Sequence, residues 1–260
     1  MISDVPDSTP MPANPRLSAL RDQIARIESG GKRARGILPF GVPTVDRRVP
    51  GGGLALGALH EVAGGGNGAV HGAAVALFAA GIAARTSGQV LWCVTRADLF
   101  APSLAQAGLH PDRVIYAEVG DEKAVLACME EGLRHGGFSA VVGEVARLPM
   151  VASRRLQLCA EESGTIALAI RRWRRMADTA DFGQPTASVT RWRITALPSE
   201  PLPVPGIDRA RWLAELIRAR AGECADFELE ACDEQGRIAL PADLAHGSAD
   251  AGTGRLGAIV

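Results

Sequence analysis

The sequence predicts an α/β fold in which a mostly parallel sheet is flanked by helices. Between residues 58 and 194, apolar segments of strand length alternate with segments of helical periodicity, which is typical of βαβ units with both sheet faces covered. The 260-residue chain is 47% hydrophobic but only 4% aromatic. One large, mainly aliphatic core is therefore expected, and a second large domain is not.

The elements of this core follow in a regular order. Strands are predicted at 58–62, 90–94, 114–117, 140–145, 165–170 and 188–194. Helices are predicted at 69–86, 100–108, 122–136 and 151–162, and prolines between 198 and 205 then interrupt the alternation. Beyond them, Trp212, Leu213, Leu216 and Ile217 give residues 207–220 the pattern of an amphipathic helix, and 227–240 is predicted to form a hairpin that turns at 233–236.

The chain divides into five segments by composition. Residues 1–14 contain three prolines and are expected to be disordered, and 15–36 are expected to form an N-terminal helix and a basic linker. Residues 37–198 form the α/β core, 199–246 a C-terminal helix and hairpin extension, and 247–260 a Gly- and Ala-rich flexible tail.

Composition also excludes several classes of protein. Five cysteines are scattered without the paired spacing of zinc sites, which favours a reducing compartment without disulfides. The formal net charge is -1, and no uncharged segment is long enough to span a bilayer. We therefore expect a cytoplasmic protein that has no membrane association, metal or cofactor.

A glycine-rich loop stands between the first core strand and the first core helix. A phosphate-binding loop of this kind needs glycines to turn backbone N–H groups inward, a lysine to neutralise the phosphates and a Ser or Thr to hold Mg²⁺. The glycines are present, but Ala69, Val70 and His71 enter the helix instead of lysine and Ser/Thr. The degenerate loop consists of Gly64, Gly65, Gly66, Asn67, Gly68 and His71. It predicts a tight turn without a nucleotide, although the helix N-terminus could still attract an anion.

The carboxylate expected in a nucleotide hydrolase is also displaced. Such enzymes hold Mg²⁺ through an aspartate at the end of an apolar strand. In the strand 140–145, Gly143 occupies that place and Glu144 follows it. We therefore expect no catalytic residues and no ATPase activity.

Several short strings resemble known families. Residues 38–46 (LPFGVPTVD), 51–54 (GGGL), 59–62 (LHEV) and the glycine loop are similar to the start of the RecA recombinase core. Residues 191–194 (RWRI), 196–199 (ALPS) and 209–216 (RARWLAEL) resemble the C-terminal signature of the ImuA family. The resemblance spans about residues 38–240 and implies a RecA-like core.

The ImuA resemblance implies a role in DNA damage tolerance. It implies an accessory factor of the SOS response that acts in error-prone translesion synthesis and SOS mutagenesis, and that joins the nucleoid after damage. The implied partners are an ImuB-type Y-family polymerase homologue, an error-prone C-family polymerase and RecA. Two alternatives remain open: a divergent RecA- or KaiC-type ATPase whose lysine comes from elsewhere, and a SulA-like inhibitor of cell division.

An arginine-rich segment between residues 147 and 193 suggests contact with single-stranded DNA. It holds nine arginines and four acidic residues, a net charge of +5. In RecA-like folds the loops after the corresponding strands line the DNA channel, and guanidinium groups around an indole suit phosphate contact and base stacking. The DNA-binding candidates are Arg147, Arg154, Arg155, Arg171, Arg172, Trp173, Arg174 and Arg175. A solvated basic rim or a surface for an acidic partner would give the same pattern.

Overall fold

The structure is a computed structural model that describes residues 36–66, 68–173, 176–199 and 208–241. Its strands are β1 (Ile37–Leu38), β2 (Leu54–Ala55), β3 (Leu59–Gly64), β4 (Val90–Val94), β5 (Val114–Glu118), β6 (Ala140–Val145), β7 (Ile166–Arg171), β8 (Thr190–Leu197), β9 (Arg211–Ala219) and β10 (Ala225–Glu230). Its α-helices are α1 (Pro43–Asp46), α2 (Ala69–Ala84), α3 (Ala101–Gln106), α4 (Glu122–His135) and α5 (Met150–Ser163). Two 3₁₀ helices span Pro111–Arg113 and Met176–Gly183.

Eight strands form one mixed sheet in the order β10-β9-β8-β3-β7-β6-β4-β5. The strands from β8 to β5 are parallel, whereas β9 runs antiparallel to both β8 and β10. The short strands β1 and β2 pair separately. The predicted α/β architecture, with a mostly parallel sheet and flanking helices, is confirmed.

Helices cover both faces of the sheet, and a hydrophobic cluster lies between the helices and the sheet on each face. On one face, α2 packs on β3 and β8, where Phe78 contacts the rings of Trp192 and Trp212 at centroid distances of 5.9 and 6.1 Å. On the other face, α4 packs on β4 and β6, and α5 packs on β3 and β7. Met129 and Leu156 are buried there, so the central strands are enclosed on both sides.

Local sequence signals determine where the helices begin and end. The Asp121 carboxylate accepts a hydrogen bond of 2.8 Å from the backbone N–H of Ala124, which caps α4. Gly136 and Gly164 follow α4 and α5 with positive φ angles of 67° and 77°, a conformation that glycine adopts without steric cost. These caps explain why both helices match their predicted spans within two residues.

The predicted helix at 207–220 is wrong, because residues 211–219 form strand β9. Trp212, Ala214 and Leu216 alternate as buried residues, while Leu213 and Ile217 lie half-buried on the opposite face. The apolar residues at 212, 213, 216 and 217 fit the 3.6-residue period of a helix. They fit equally well a strand that is apolar on both faces. Pairing with β8 and β10 selects the strand.

The predicted turn at 233–236 is present, since Gly236 donates its N–H to the Asp233 carbonyl at 2.9 Å. It returns the chain so that Glu230 and Ala239 form an isolated bridge, whereas β10 itself pairs with β9. In the part of the chain that the structure describes, no helix is long and apolar enough to cross a bilayer. The segments predicted at 1–14 and 247–260, and the predicted helix and linker up to residue 35, lie outside the described residues.

Candidate functional site

The glycine loop joins the end of β3 to the start of α2 at the carboxyl edge of the parallel strands. Gly65 donates its backbone N–H to the Ile194 carbonyl at 2.9 Å, which fastens the loop to β8. A Cβ atom at Gly65 would lie 1.9 Å from Thr195 Oγ1, and one at Gly66 would lie 3.2 Å from the His71 ring. Packing inside the protein therefore accounts for these two glycines. Asn67, the fourth residue of the predicted loop, lies outside the described residues.

A cavity of about 350 Å³ opens beside this loop. Its lining includes Gly64, Gly66, Gly68, Asp98, Arg172 and Trp173. The loop therefore faces Arg172 and Trp173, which follow β7, instead of a lysine on α2. His71 lies at the same place with its Nδ1 buried and without a hydrogen-bond partner among the described residues.

The carboxylate at the end of β6 is fully engaged within the chain. Glu144 accepts a hydrogen bond of 3.0 Å from Trp92 Nε1 and one of 2.7 Å from Arg172 Nη1. Arg172 also contacts Asp98, the acidic residue after β4, at 2.6 Å. Burial lowers the pKa of Arg172, but its bonds to Glu144 and Asp98 outweigh burial and leave the pKa above its ordinary value. The guanidinium group of Arg172, which is always charged, therefore pairs with both carboxylates at the position where a hydrolase would hold Mg²⁺.

A second cavity, of about 430 Å³, lies at the carboxyl ends of β4, β5 and β6. Arg96, Arg147 and Arg172 line it together with Asp121, Glu122 and Glu144. Glu122 accepts the backbone N–H of Ala146 at 2.9 Å, which holds the segment after β6 against α4. This cavity has mixed charge, and no three His, Cys, Asp or Glu side chains of the described ranges are grouped as metal ligands.

Arg171 does not belong to an exposed basic segment, contrary to the sequence analysis. Its side chain is buried at the end of β7, where Nη1 donates to Glu61 Oε1 at 2.6 Å and Nη2 donates to the Ala146 carbonyl at 2.6 Å. Arg171 also pairs with Asp181, and Arg191 pairs with Glu61 at 3.0 Å. Buried charges must be paired in this way, so these groups hold the 3₁₀ segment Met176–Gly183 against the sheet and offer no surface to DNA.

Trp173 is also placed differently from the expected stacking platform. It is only 8% exposed and contacts Phe182 edge-to-face at a centroid distance of 5.5 Å. Its indole therefore packs inside the protein in this structure, and a base cannot stack on it there.

The remaining predicted DNA-binding residues fall into three groups. Arg147, Arg154 and Arg155 are exposed at the end of β6 and on α5. Arg155 Nη2 contacts Glu130 at 2.5 Å, and the Arg147 backbone N–H contacts Glu122 at 3.3 Å. Arg172 is partly exposed but held by its two carboxylates, and Arg174 and Arg175 lie outside the described residues.

Sequence reasoning missed the buried network around Glu61. The signal was present, because a glutamate inside a fully buried strand requires a cation nearby. The partners could not be chosen from sequence, since the two arginines that pair with Glu61, Arg171 and Arg191, are 110 and 130 residues away.

Comparison with solved structures defines the class of protein. The chain is similar to a crystal structure of the RadB recombinase, with a TM-score of 0.57 and 18% identity, over 79% of this chain and 100% of that chain. A likeness at this identity shows the fold, which is RecA-like. No protein-family model matches the chain.

Comparison with known sequences shows the family. The chain is 38% identical over 215 residues to Protein ImuA of Caulobacter vibrioides, from both strain NA1000 / CB15N and strain ATCC 19089 / CIP 103742 / CB 15. The matched region covers 79% of this chain and 87% of each relative. The chain belongs to the ImuA family, as the residues 191–216 indicated.

Proposed function

We propose that this chain is a non-catalytic, RecA-like accessory protein of SOS-induced, error-prone translesion DNA synthesis. Membership of the ImuA family and the RecA-like fold support an accessory role in mutagenesis. In this proposal the chain works in the cytoplasm, at the nucleoid after damage. It binds an ImuB-type Y-family polymerase homologue, with an error-prone C-family polymerase and RecA as further partners.

The observation that carries the non-catalytic part is the ion triad of Arg172, Glu144 and Asp98. A hydrolase needs a carboxylate that is free to organise Mg²⁺ and a cation that meets the phosphates. Here the only carboxylate at the end of β6 is bound by Arg172, and Ala69 and Val70 begin α2 where lysine and Ser/Thr are required. The site therefore satisfies its charges internally.

Calorimetric titration with ATP, with and without Mg²⁺, tests this part of the proposal. We expect no saturable heat at micromolar ATP and no phosphate release. The variant Arg172→Ala is informative because it frees Glu144 and Asp98 without supplying a lysine, and we expect it to remain inactive. Micromolar affinity together with turnover by the unaltered chain would favour the alternative, a divergent ATPase.

The DNA-binding part of the proposal is narrower than the sequence predicted. Arg171 and Trp173 are buried, and Arg172 is neutralised, so single-strand contact is assigned to Arg147 and to Arg174 and Arg175. Phosphate contacts make binding fall steeply with salt. Replacing Arg147, Arg174 and Arg175 by Ala should therefore flatten the salt dependence in fluorescence anisotropy, and an unchanged isotherm would remove DNA from the proposal.

A further inference from the structure

Helix α5 carries a cluster of exposed apolar side chains. Eight large hydrophobic residues are exposed in the part of the chain that the structure describes, and three of them are on this one helix. Met150 is 44% exposed, Val151 72% and Leu158 51%. Residues three, four, seven or eight positions apart lie on the same side of a helix, so these side chains face outward together with Arg154. We call Met150, Val151, Arg154 and Leu158 the α5 stripe.

The core does not use the α5 stripe. The buried residues of the helix are Ser153, Leu156, Gln157, Cys159 and Ala160. On one flank, Arg155 contacts Glu130 of α4 at 2.5 Å. On the other flank, Ser153 Oγ accepts the backbone N–H of Ala187 at 3.0 Å. The helix is thus held on three sides, and the stripe remains on the fourth, the solvent side.

The charge around the stripe is positive over the first two turns of α5 and negative in its last turn, where Glu161 and Glu162 lie. Residues 147–160 contain Arg147, Arg154 and Arg155 and no Asp or Glu. The N-terminus of a helix adds positive potential to that of the arginines. A ligand that covers the apolar residues must therefore bring carboxylates to the first two turns of α5.

We propose that the α5 stripe is a docking surface for an acidic, amphipathic segment of a protein partner. The proposal rests on the proposed function in one respect, since it takes the Y-family polymerase homologue as that partner. Aliphatic side chains as exposed as Val151 and Leu158 gain free energy when a protein covers them, whereas phosphate groups offer them no favourable contact. Arg154, which lies between them, selects carboxylates and fixes the register.

Two valines provide a matched experiment. Val151 is the second residue of α5 and is 72% exposed, and Val70 is the second residue of α2 and is 66% exposed, on the opposite face of the sheet. Both accept Asp without loss of packing. The unaltered chain, Val151→Asp, Leu158→Asp, Arg154→Glu and Val70→Asp are each titrated against the purified Y-family polymerase homologue of the same organism by biolayer interferometry.

We expect Val151→Asp, Leu158→Asp and Arg154→Glu each to weaken binding at least about tenfold through like-charge repulsion and lost apolar contact, while Val70→Asp binds as the unaltered chain does. Circular dichroism should be the same for all five proteins. Equal binding by Val151→Asp and the unaltered chain would overturn the surface and leave the proposed function standing. If the unaltered chain fails to bind the polymerase homologue, the proposed function and this proposal fall together.

Two further measurements distinguish other occupants of the stripe. If Val151→Asp and Leu158→Asp lose affinity for single-stranded DNA but keep the polymerase homologue, the stripe is a nucleic-acid surface and the proposal is overturned. If they change the mass measured by sedimentation without changing either affinity, the stripe joins two copies of this chain and the proposal is again overturned. Unchanged DNA binding and unchanged mass, together with lost polymerase binding, support it.

Discussion

At the scale of single residues, His60 is a histidine that the interior keeps neutral. It lies fully buried on β3, with Nε2 at 2.9 Å from the Ala55 carbonyl and Nδ1 at 2.8 Å from Thr190 Oγ1. A carbonyl only accepts, so Nε2 carries the proton and Nδ1 accepts from the threonine hydroxyl. Burial lowers the pKa of His60 to about 4, although its bond to Ala55 acts in the opposite direction.

This pKa predicts a specific loss of stability in acid. The unfolded histidine has a pKa of about 6.5, so as the pH falls the unfolded state binds a proton before the folded state does. The contribution of His60 is therefore complete above about pH 6.5 and falls by at most about 1.4 kcal/mol per pH unit towards pH 4. As the pH is lowered, the free energy of unfolding, measured by urea denaturation, should fall less steeply for His60→Gln than for the parent protein.

The control for this measurement is His110→Gln, since the His110 side chain is 72% exposed. It supplies the comparison with a histidine that the interior does not enclose. Parallel curves for His60→Gln and the parent between about pH 6.5 and pH 4 would contradict the assignment of a buried neutral imidazole.

At the scale of elements, the glycine loop is shaped by its neighbours in the sheet. Gly68 is the N-cap residue of α2 and has a φ of 107°, which residues with a side chain rarely adopt, and Gly65 lies against Thr195 of β8. By contrast, nothing lies within 4 Å of a Cβ atom placed at Gly72, one turn into α2. Packing is therefore enough to require glycines in this loop, although the loop has no lysine.

Two glycine substitutions should have opposite effects on stability. Gly65→Ala forces a methyl group into Thr195 and should lower the free energy of unfolding by about 1–3 kcal/mol. Gly72→Ala removes a flexible residue from a helix interior and should raise it by up to about 1 kcal/mol. Chemical denaturation measures both. A neutral Gly65→Ala would mean that the loop keeps its glycines for a ligand and not for packing.

At the scale of the whole molecule, the C-terminal strands complete the main core. Trp212, Leu216 and Leu229 of β9 and β10 are at most 2% exposed and belong to the same hydrophobic cluster as Phe78 and Trp192. The composition of residues 199–246 predicts a separate C-terminal extension. In the structure, residues 211–230 contribute two of the eight strands of the sheet.

Removing the C-terminal strands β9 and β10 should show that the main core depends on them. A chain ending at residue 199 uncovers Trp192 and Phe78 and leaves β8 as an unpaired edge, so it should lack a cooperative thermal transition and should aggregate. A chain ending at residue 246, which lacks only the predicted flexible tail 247–260, should unfold with the same transition as the full chain. Differential scanning calorimetry compares the three proteins, and cooperative unfolding of the shorter chain would show that the strands before β9 form an independent core.

Local signals predicted most of the fold. Strands β4 and β6 were predicted at their observed bounds because buried parallel strands are short apolar runs between turn residues. The C-terminal region around Trp212 was predicted incorrectly, since the spacing of apolar residues there fits both the period of a helix and that of a strand. In the candidate site, the glycines and Glu144 were found, but the buried state of Arg171 and Trp173 was not.

The sequence by itself determined the order of strands and helices from β3 to β8, the family and the absence of a lysine at the start of α2. Each of these properties depends on residues that are close together in the sequence. The tertiary structure alone decided that 211–219 is a strand, that Arg171 neutralises Glu61, and that Arg172 occupies the carboxylates Glu144 and Asp98. The physical reason is distance along the chain: Arg172 and Asp98 are 74 residues apart, and the interaction between two charges depends on their separation in space and on their burial.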